Sequence, residues 1–266
     1  MLHPFGNEGR ARQLRCDDTI RRPRYFEGHL PKIPMNTYDI KFEIAGPAAM
    51  FTRPDTGAAP ISYPTPTWAA CKAIFESVAR GFFADGGQPA AFFSATEIEV
   101  WKPVRFEKYV TNYRGPLRKS SQIEKNASYQ LPATILVDVC YRVVGQCIRV
   151  PGAPDKTNNA PHALQEMFYR RLSQGRNKYV PCLGWKEFVP SYFGPFREHG
   201  DGVDGFALQK QYFAELPALL MSAWDAPANG QYQPTFRSLE IREGVLRFPQ
   251  AHVRNGKLDF DKEATK

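Results

Sequence analysis

"ATILVDVCYRVVGQCIRV", residues 133–150, is rich in β-branched residues and has no proline until position 151. Such a run reads as one long or bulged strand. Its neighbours on both sides decide what kind of sheet it joins. Upstream, "EKYVTNYRGPLRKSSQIEKNASYQLP" (107–132) is polar and basic, the signature of a protruding hairpin. Before it, "AAFFSATEIEVWKPVRF" (90–106) reads as a strand. Further back, Cys71, Ile74, Phe75 and Val78 recur at i, i+3, i+4, i+7, the apolar stripe of a helix. Thr67 is its candidate N-cap, and Asp85-Gly86-Gly87 close the unit. A stiff loop, "FTRPDTGAAPISYPTPT" (51–67), precedes that helix, and "YDIKFEIAG" (38–46) alternates as a strand.

Downstream, "PGAPDKTNNAPH" is a linker. Asn159 before Pro161 opens a second helix with the stripe Leu164, Met167, Phe168, Leu172, closed by Gly175. "KYVPCLGWKEFVPSYF" (178–193) reads as a strand broken by Pro181 and Gly184. The order is strand, helix, strand, hairpin, strand, helix, strand. It predicts an α+β protein built on a ferredoxin-like βαββαβ unit, a fold that RNA-binding sheets also use. Three regions follow. Residues 1–37 form a basic arm, residues 38–193 the ferredoxin-like domain with the 107–132 insertion, and residues 194–266 a smaller antiparallel β domain. In the last, "SLEIREGVLRFP" (238–249) turns at Glu243-Gly244.

The 266 residues are 42% apolar with a formal charge of +8, enough for a real core and basic enough to favour an anionic partner such as nucleic acid. No run approaches the ~20 apolar residues of a membrane span, and the N-terminus lacks a secretory apolar core. A phospholipid-surface reading, suggested by charge alone, lacks the basic amphipathic helix it needs. Five scattered cysteines (Cys16, Cys71, Cys140, Cys147, Cys182) form no CxxC pair, which argues against disulfides and zinc and fits a reducing cytoplasm.

There is no P-loop, HExxH, GxSxG or dinucleotide fingerprint, and no metal or cofactor is expected. The usable chemistry is cationic, aromatic and histidine-based. His162 stands at the start of the second helix, where it can shuttle protons or simply face solvent. Arg170, Arg171 and Arg176 surround Gly175, as phosphate ligands or as complements to the helix dipole. RNA can be cut without a metal when a base activates the 2′-hydroxyl, cations stabilise the phosphorane and an acid protonates the leaving 5′-oxygen.

Five stretches in order resemble one family: "FTRPDTGAAPISYPTPTWAACKAIFESV", "VWKPVRFEKYVTN", "TILVDVCYRVVG", "MFYRRLSQGRNKYVPCLGWKEF" and "FRSLEIREGVLRFP". The chain beyond residue 37 is similar to the fifth Cas protein of CRISPR type I systems, in its subtype I-C (d-type) branch of the RAMP superfamily. The resemblance implies a Cascade subunit that holds the 5′ handle of the CRISPR RNA and cuts the precursor beyond the repeat stem-loop without metal. The branch's catalytic tyrosine falls at Ala79, followed by Arg80. Its Lys-His pair lies four residues before the helix phenylalanine, where this chain has Leu164, and His162 lies six residues before Phe168. His162 and Arg80 are therefore the candidate catalytic residues. Two readings remain open: a nuclease that works with a displaced histidine, or a handle-binding subunit that does not cut. The candidate RNA contacts are Arg53, Tyr63, Arg114, Arg118, Lys119, Arg170, Arg171, Arg176 and Lys186. The expected partners are CRISPR RNA, the backbone and large Cascade subunits and, through the arm, target DNA near the PAM.

Overall fold

The structure is a computed structural model that describes residues 38–83, 89–113, 120, 129–152, 159–198, 205–224, 230–254 and 257–262. The arm 1–37 and three candidate contacts, Arg114, Arg118 and Lys119, lie outside the described residues.

Among the described residues the chain is a mostly antiparallel sheet with two helices, an α+β protein. β1 (Asp39–Ala49) pairs with β5 (Tyr129–Arg149), the long strand anticipated from its β-branched run. β3 (Pro89–Val100) lies on the other side of β5, and β6 (Tyr192–Gly194) pairs with the outer side of β1. The order β6-β1-β5-β3 is antiparallel throughout. β4 (Phe106–Tyr113) pairs with the first half of β5 and forms the stem of the basic hairpin. The strand expected over 90–106 is β3, which ends at Val100, and β4 begins only at Phe106. Between them Lys102 (2.5 Å) and Arg105 (2.7 Å) both pair with Asp138. Asp138 adopts φ +51°, a conformation few non-glycine residues take, at the point where β5 passes from β4 to β3.

α1 (Trp68–Val78) starts as expected, with the Thr67 hydroxyl accepting from the Ala70 N–H at 3.2 Å. It ends well before Asp85. The Ala79 N–H closes on the Phe75 carbonyl, and Gly81, at φ +74°, turns the chain into β2 (Phe82–Phe83), which pairs with β3. α2 (Ala160–Ser173) begins at Asn159, whose side chain accepts from the His162 N–H. Both helices pack on one face of the sheet around Phe75. Its ring stands edge-on to Phe42 (4.8 Å) and Phe168 (5.5 Å) and stacked on Phe93 (5.6 Å). Gly145 permits this, since a Cβ there would fall 2.8 Å from the Phe75 ring.

The strand expected over 178–193 is a correction: only Tyr192–Gly194 is strand. The preceding loop bonds to the end of β1, not to a ladder. The Met50 N–H donates to the Leu183 carbonyl at 2.9 Å, and the Trp185 indole N–H donates to the Thr52 hydroxyl at 3.0 Å. Gly184 lies at φ +88°, and a Cβ there would fall 1.8 Å from the Met50 carbonyl oxygen, so only glycine fits.

β7 (Ala214–Trp224), β8 (Tyr232–Arg242) and β9 (Val245–Arg247) extend the same sheet through β9, beside β3. The β8–β9 turn falls at Glu243-Gly244, both at positive φ, as the hairpin signal implied. β10 (Ala251–Arg254) and β11 (Lys257–Phe260) form a separate ribbon, and Phe260 stands edge-on to Trp68 at the start of α1. No helix among the described residues is long and apolar enough to cross a membrane.

Candidate nucleic-acid interface

The described candidate residues fall into three places. The first is the loop before α1. It doubles back on itself and latches to β5: the Arg53 N–H bonds the Ile61 carbonyl, and the Ser62 N–H bonds the Thr134 carbonyl. Arg53 forms a two-point pair with Asp55 at 3.1 and 2.7 Å. The hydrogen bond and charge of Asp55 raise the guanidinium's pKa, and Arg53 in turn lowers that of the exposed Asp55. The Arg53 guanidinium also lies 6.0 Å from the Tyr63 ring centroid. Tyr63 itself is 4% exposed. Its hydroxyl donates to the Ala218 carbonyl (2.7 Å) and accepts from the Leu220 N–H (3.2 Å), and burial pushes the phenol's pKa up. The ring therefore struts the loop against β7, and its face is not open for a base. Lys186 is exposed on the neighbouring loop, one residue beyond Trp185.

The second place is the joined C-terminal ends of the two helices. Arg170, Arg171, Gln174, Gly175, Arg176 and Asn177 line a cavity of about 670 Å³. The Arg171 Nη1 donates to the Val78 carbonyl at the end of α1 (3.0 Å). The Lys178 and Tyr179 N–H groups both bond the Ser77 carbonyl. Arg80 is exposed, two residues past Val78, and so is tethered to this end of α2. Ala79, at the tyrosine position of the resemblance, is wholly buried, as is Leu164 at the lysine position.

The third place is the N-terminus of α2. His162 is exposed there, and its ring meets Tyr38 edge-on with centroids 6.3 Å apart. Asn159 joins the two: its Oδ1 accepts from the His162 N–H (3.3 Å), and its Nδ2 donates to the Tyr38 hydroxyl (2.7 Å). His162 and Arg171 are nine residues apart, about 13 Å of helix rise. The two candidate catalytic residues, His162 and Arg80, are thus tied to opposite ends of α2.

Sequence reasoning passed over Tyr38 and Tyr179. An exposed tyrosine beside Lys178 and the arginine cluster was a local signal for the second. Nothing local marked Tyr38, whose partner Asn159 is 121 residues away. The buried cysteines are inert: burial pushes the Cys140 thiol up to about 12, and Cys71 and Cys147 higher still. Among the described residues no three His, Cys, Asp or Glu side chains cluster closely enough to hold a metal ion.

The model of the CRISPR-associated protein (Cas5) family, in its Cas5d form, matches residues 39–261. Two similar proteins are each named CRISPR pre-crRNA endoribonuclease Cas5d. One, from Thermus thermophilus, is 29% identical over 220 residues, 79% of this chain and 91% of the relative. The other, from Mannheimia succiniciproducens, is 25% identical over 233 residues, 82% and 98% of the two chains. A crystal structure of a CRISPR-associated protein shares the fold with a TM-score of 0.55 at 16% identity, covering 80% of this chain and 92% of that one. A Streptococcus mutans protein does so at 0.54 and 17%, over the same shares of the two chains. With the family match running from β1 to just past β11, the chain belongs to the CRISPR-associated Cas5 family, in its d-type, subtype I-C branch.

Proposed function

We propose that the chain binds the 5′ handle of CRISPR RNA as a Cascade subunit and cuts the precursor without a metal. The observation that carries RNA binding is the guanidinium-lined cavity where α1 and α2 end. The names of relatives matched over 91% and 98% of their lengths support cleavage.

The β6-β1-β5-β3 order, all antiparallel with both helices on one face, supports a ferredoxin-like unit over 38–193. Residues 194–266 then act as a C-terminal β extension, and the arm 1–37 contacts neighbouring subunits or target DNA near the PAM. The work is done in the cytoplasm, which suits the free cysteines.

In the cleavage step a base removes the 2′-hydroxyl proton and the 2′-oxygen attacks the adjacent phosphorus. The 5′-oxygen then leaves with a proton from an acid. The products are a 2′,3′-cyclic phosphate and a free 5′-hydroxyl. His162 serves as one proton-transfer group. Tyr38 serves as its neighbour, with a hydroxyl that accepts from Asn159 and retains its own O–H to donate. The arginines at the far end of α2 hold flanking phosphates.

A second reading, binding without cleavage, is favoured by the burial of Ala79 and Leu164 where the family's tyrosine and lysine would stand. Both readings require the cavity to bind phosphate. Arg176→Glu should weaken binding of a labelled CRISPR repeat RNA and lower the slope of log affinity against log salt by about 1. Unchanged affinity and slope would remove the cavity from the interface.

A further inference from the structure

The last turn of α2 closes on itself. The Arg176 N–H bonds the Arg171 carbonyl (2.9 Å), and the Gly175 N–H bonds the Leu172 carbonyl (3.1 Å), with Gly175 at φ +63°. These two bonds supply donors to the helix's terminal carbonyls, so the arginine side chains are not needed there. Among the described residues, the Arg170 and Arg176 guanidiniums have no hydrogen-bond or ion-pair partner. The six residues lining the cavity include three arginines and no carboxylate. Such a site suits one anionic group.

Two residues beyond Asn177 of that lining, an aromatic ring has little to cover it. Tyr179 is 55% exposed, although its backbone is firmly held. Its N–H bonds the Ser77 carbonyl at 3.0 Å, the Lys178 N–H bonds the same oxygen at 2.6 Å, and Arg171 bonds the next carbonyl, that of Val78. The ring's backbone and a cavity guanidinium are therefore fixed to consecutive carbonyls of one helix end. The Lys178 ammonium lies 5.7 Å from the ring centroid.

We propose that this corner is a single-nucleotide subsite for single-stranded RNA, in which the cavity holds the phosphate and Tyr179 stacks on the base. A duplex would present its phosphates here but keep its bases paired, out of reach of the ring. Stacking on a tyrosine tolerates any base, because every base has a π-face. The inference rests on the RNA-binding reading above and adds a base contact to it.

The test uses the full chain and two short probes of equal length: a single-stranded oligouridylate and an abasic ribose-phosphate oligomer. Both carry 2′-O-methyl groups so that neither can be cut. The wild type should prefer the oligouridylate. Tyr179→Ala should reduce that preference by about 5- to 100-fold and leave abasic binding intact, while Tyr179→Trp should retain it. Tyr179 is held through its backbone, so the variants should melt with the wild type. A preference unchanged in Tyr179→Ala would overturn the subsite while RNA binding stood. Failure of the wild type to bind either probe would overturn the RNA-binding reading and the subsite together.

Discussion

Glu43 is fully buried on β1, and two arginines hold it. Arg197 reaches it through its backbone N–H (3.1 Å) and Nε (2.6 Å), and Arg142 through Nε (3.1 Å). Arg142 lies 3.5 Å from the Trp101 ring centroid, and Arg197 lies 3.8 Å from that of Tyr192. Burial alone would raise the Glu43 pKa, but the hydrogen bonds from Arg197 and Arg142 outweigh it and hold the carboxyl below its ordinary range. The unfolded chain therefore binds this proton more tightly than the folded one. The stabilisation is complete above the ordinary glutamate range and is lost as pH falls through the lower folded value. Glu43→Ala leaves two cations facing each other and should cost about 3 kcal/mol in urea unfolding at neutral pH, with the deficit shrinking in acid. A deficit that is small or independent of pH would show that the arginines find other partners. The alternation of 38–46 placed Ile40, Phe42 and Ile44 on one face. It could not show that Glu43 is also buried, because its cover comes from the segment around Arg197, more than 150 positions away.

Where local rules dominate, whole elements were legible. Thr67, Asn159 and Glu243-Gly244 mark their boundaries through bonds and dihedrals that span a few residues. The loop 178–191 was not, since its apolar residues resemble a strand's while its backbone bonds go to the β1 segment and to Ser77. The candidate site divides the same way. The arginines around Gly175 were visible as a cluster, whereas the burial of Tyr63 and the approach of Tyr38 to His162 are tertiary facts. For α2 the decisive residue is Asn159, which caps the helix and donates to Tyr38. Asn159→Ala should cost about 1 kcal/mol of stability. It should slow single-turnover cleavage of repeat RNA far more than it weakens RNA affinity. Asn159→Asp keeps the cap and loses the donor, so it should be stable yet slow. Wild-type cleavage rates in both variants would separate Tyr38 from the chemistry.

At the scale of the molecule, one antiparallel sheet carries both helices on one face, and three arginines line the cavity where those helices end. The family match runs along 39–261, and the proposed cutting residue is His162. The measurement to make is a gel of labelled CRISPR repeat RNA incubated in EDTA with the wild type and with His162→Ala. The expected result is one discrete cut beyond the stem-loop, ending in a 2′,3′-cyclic phosphate and absent in the variant. RNA that stays intact but shifts on a native gel would contradict cleavage and leave a handle-binding subunit. A cut that persists in His162→Ala would contradict the role of His162.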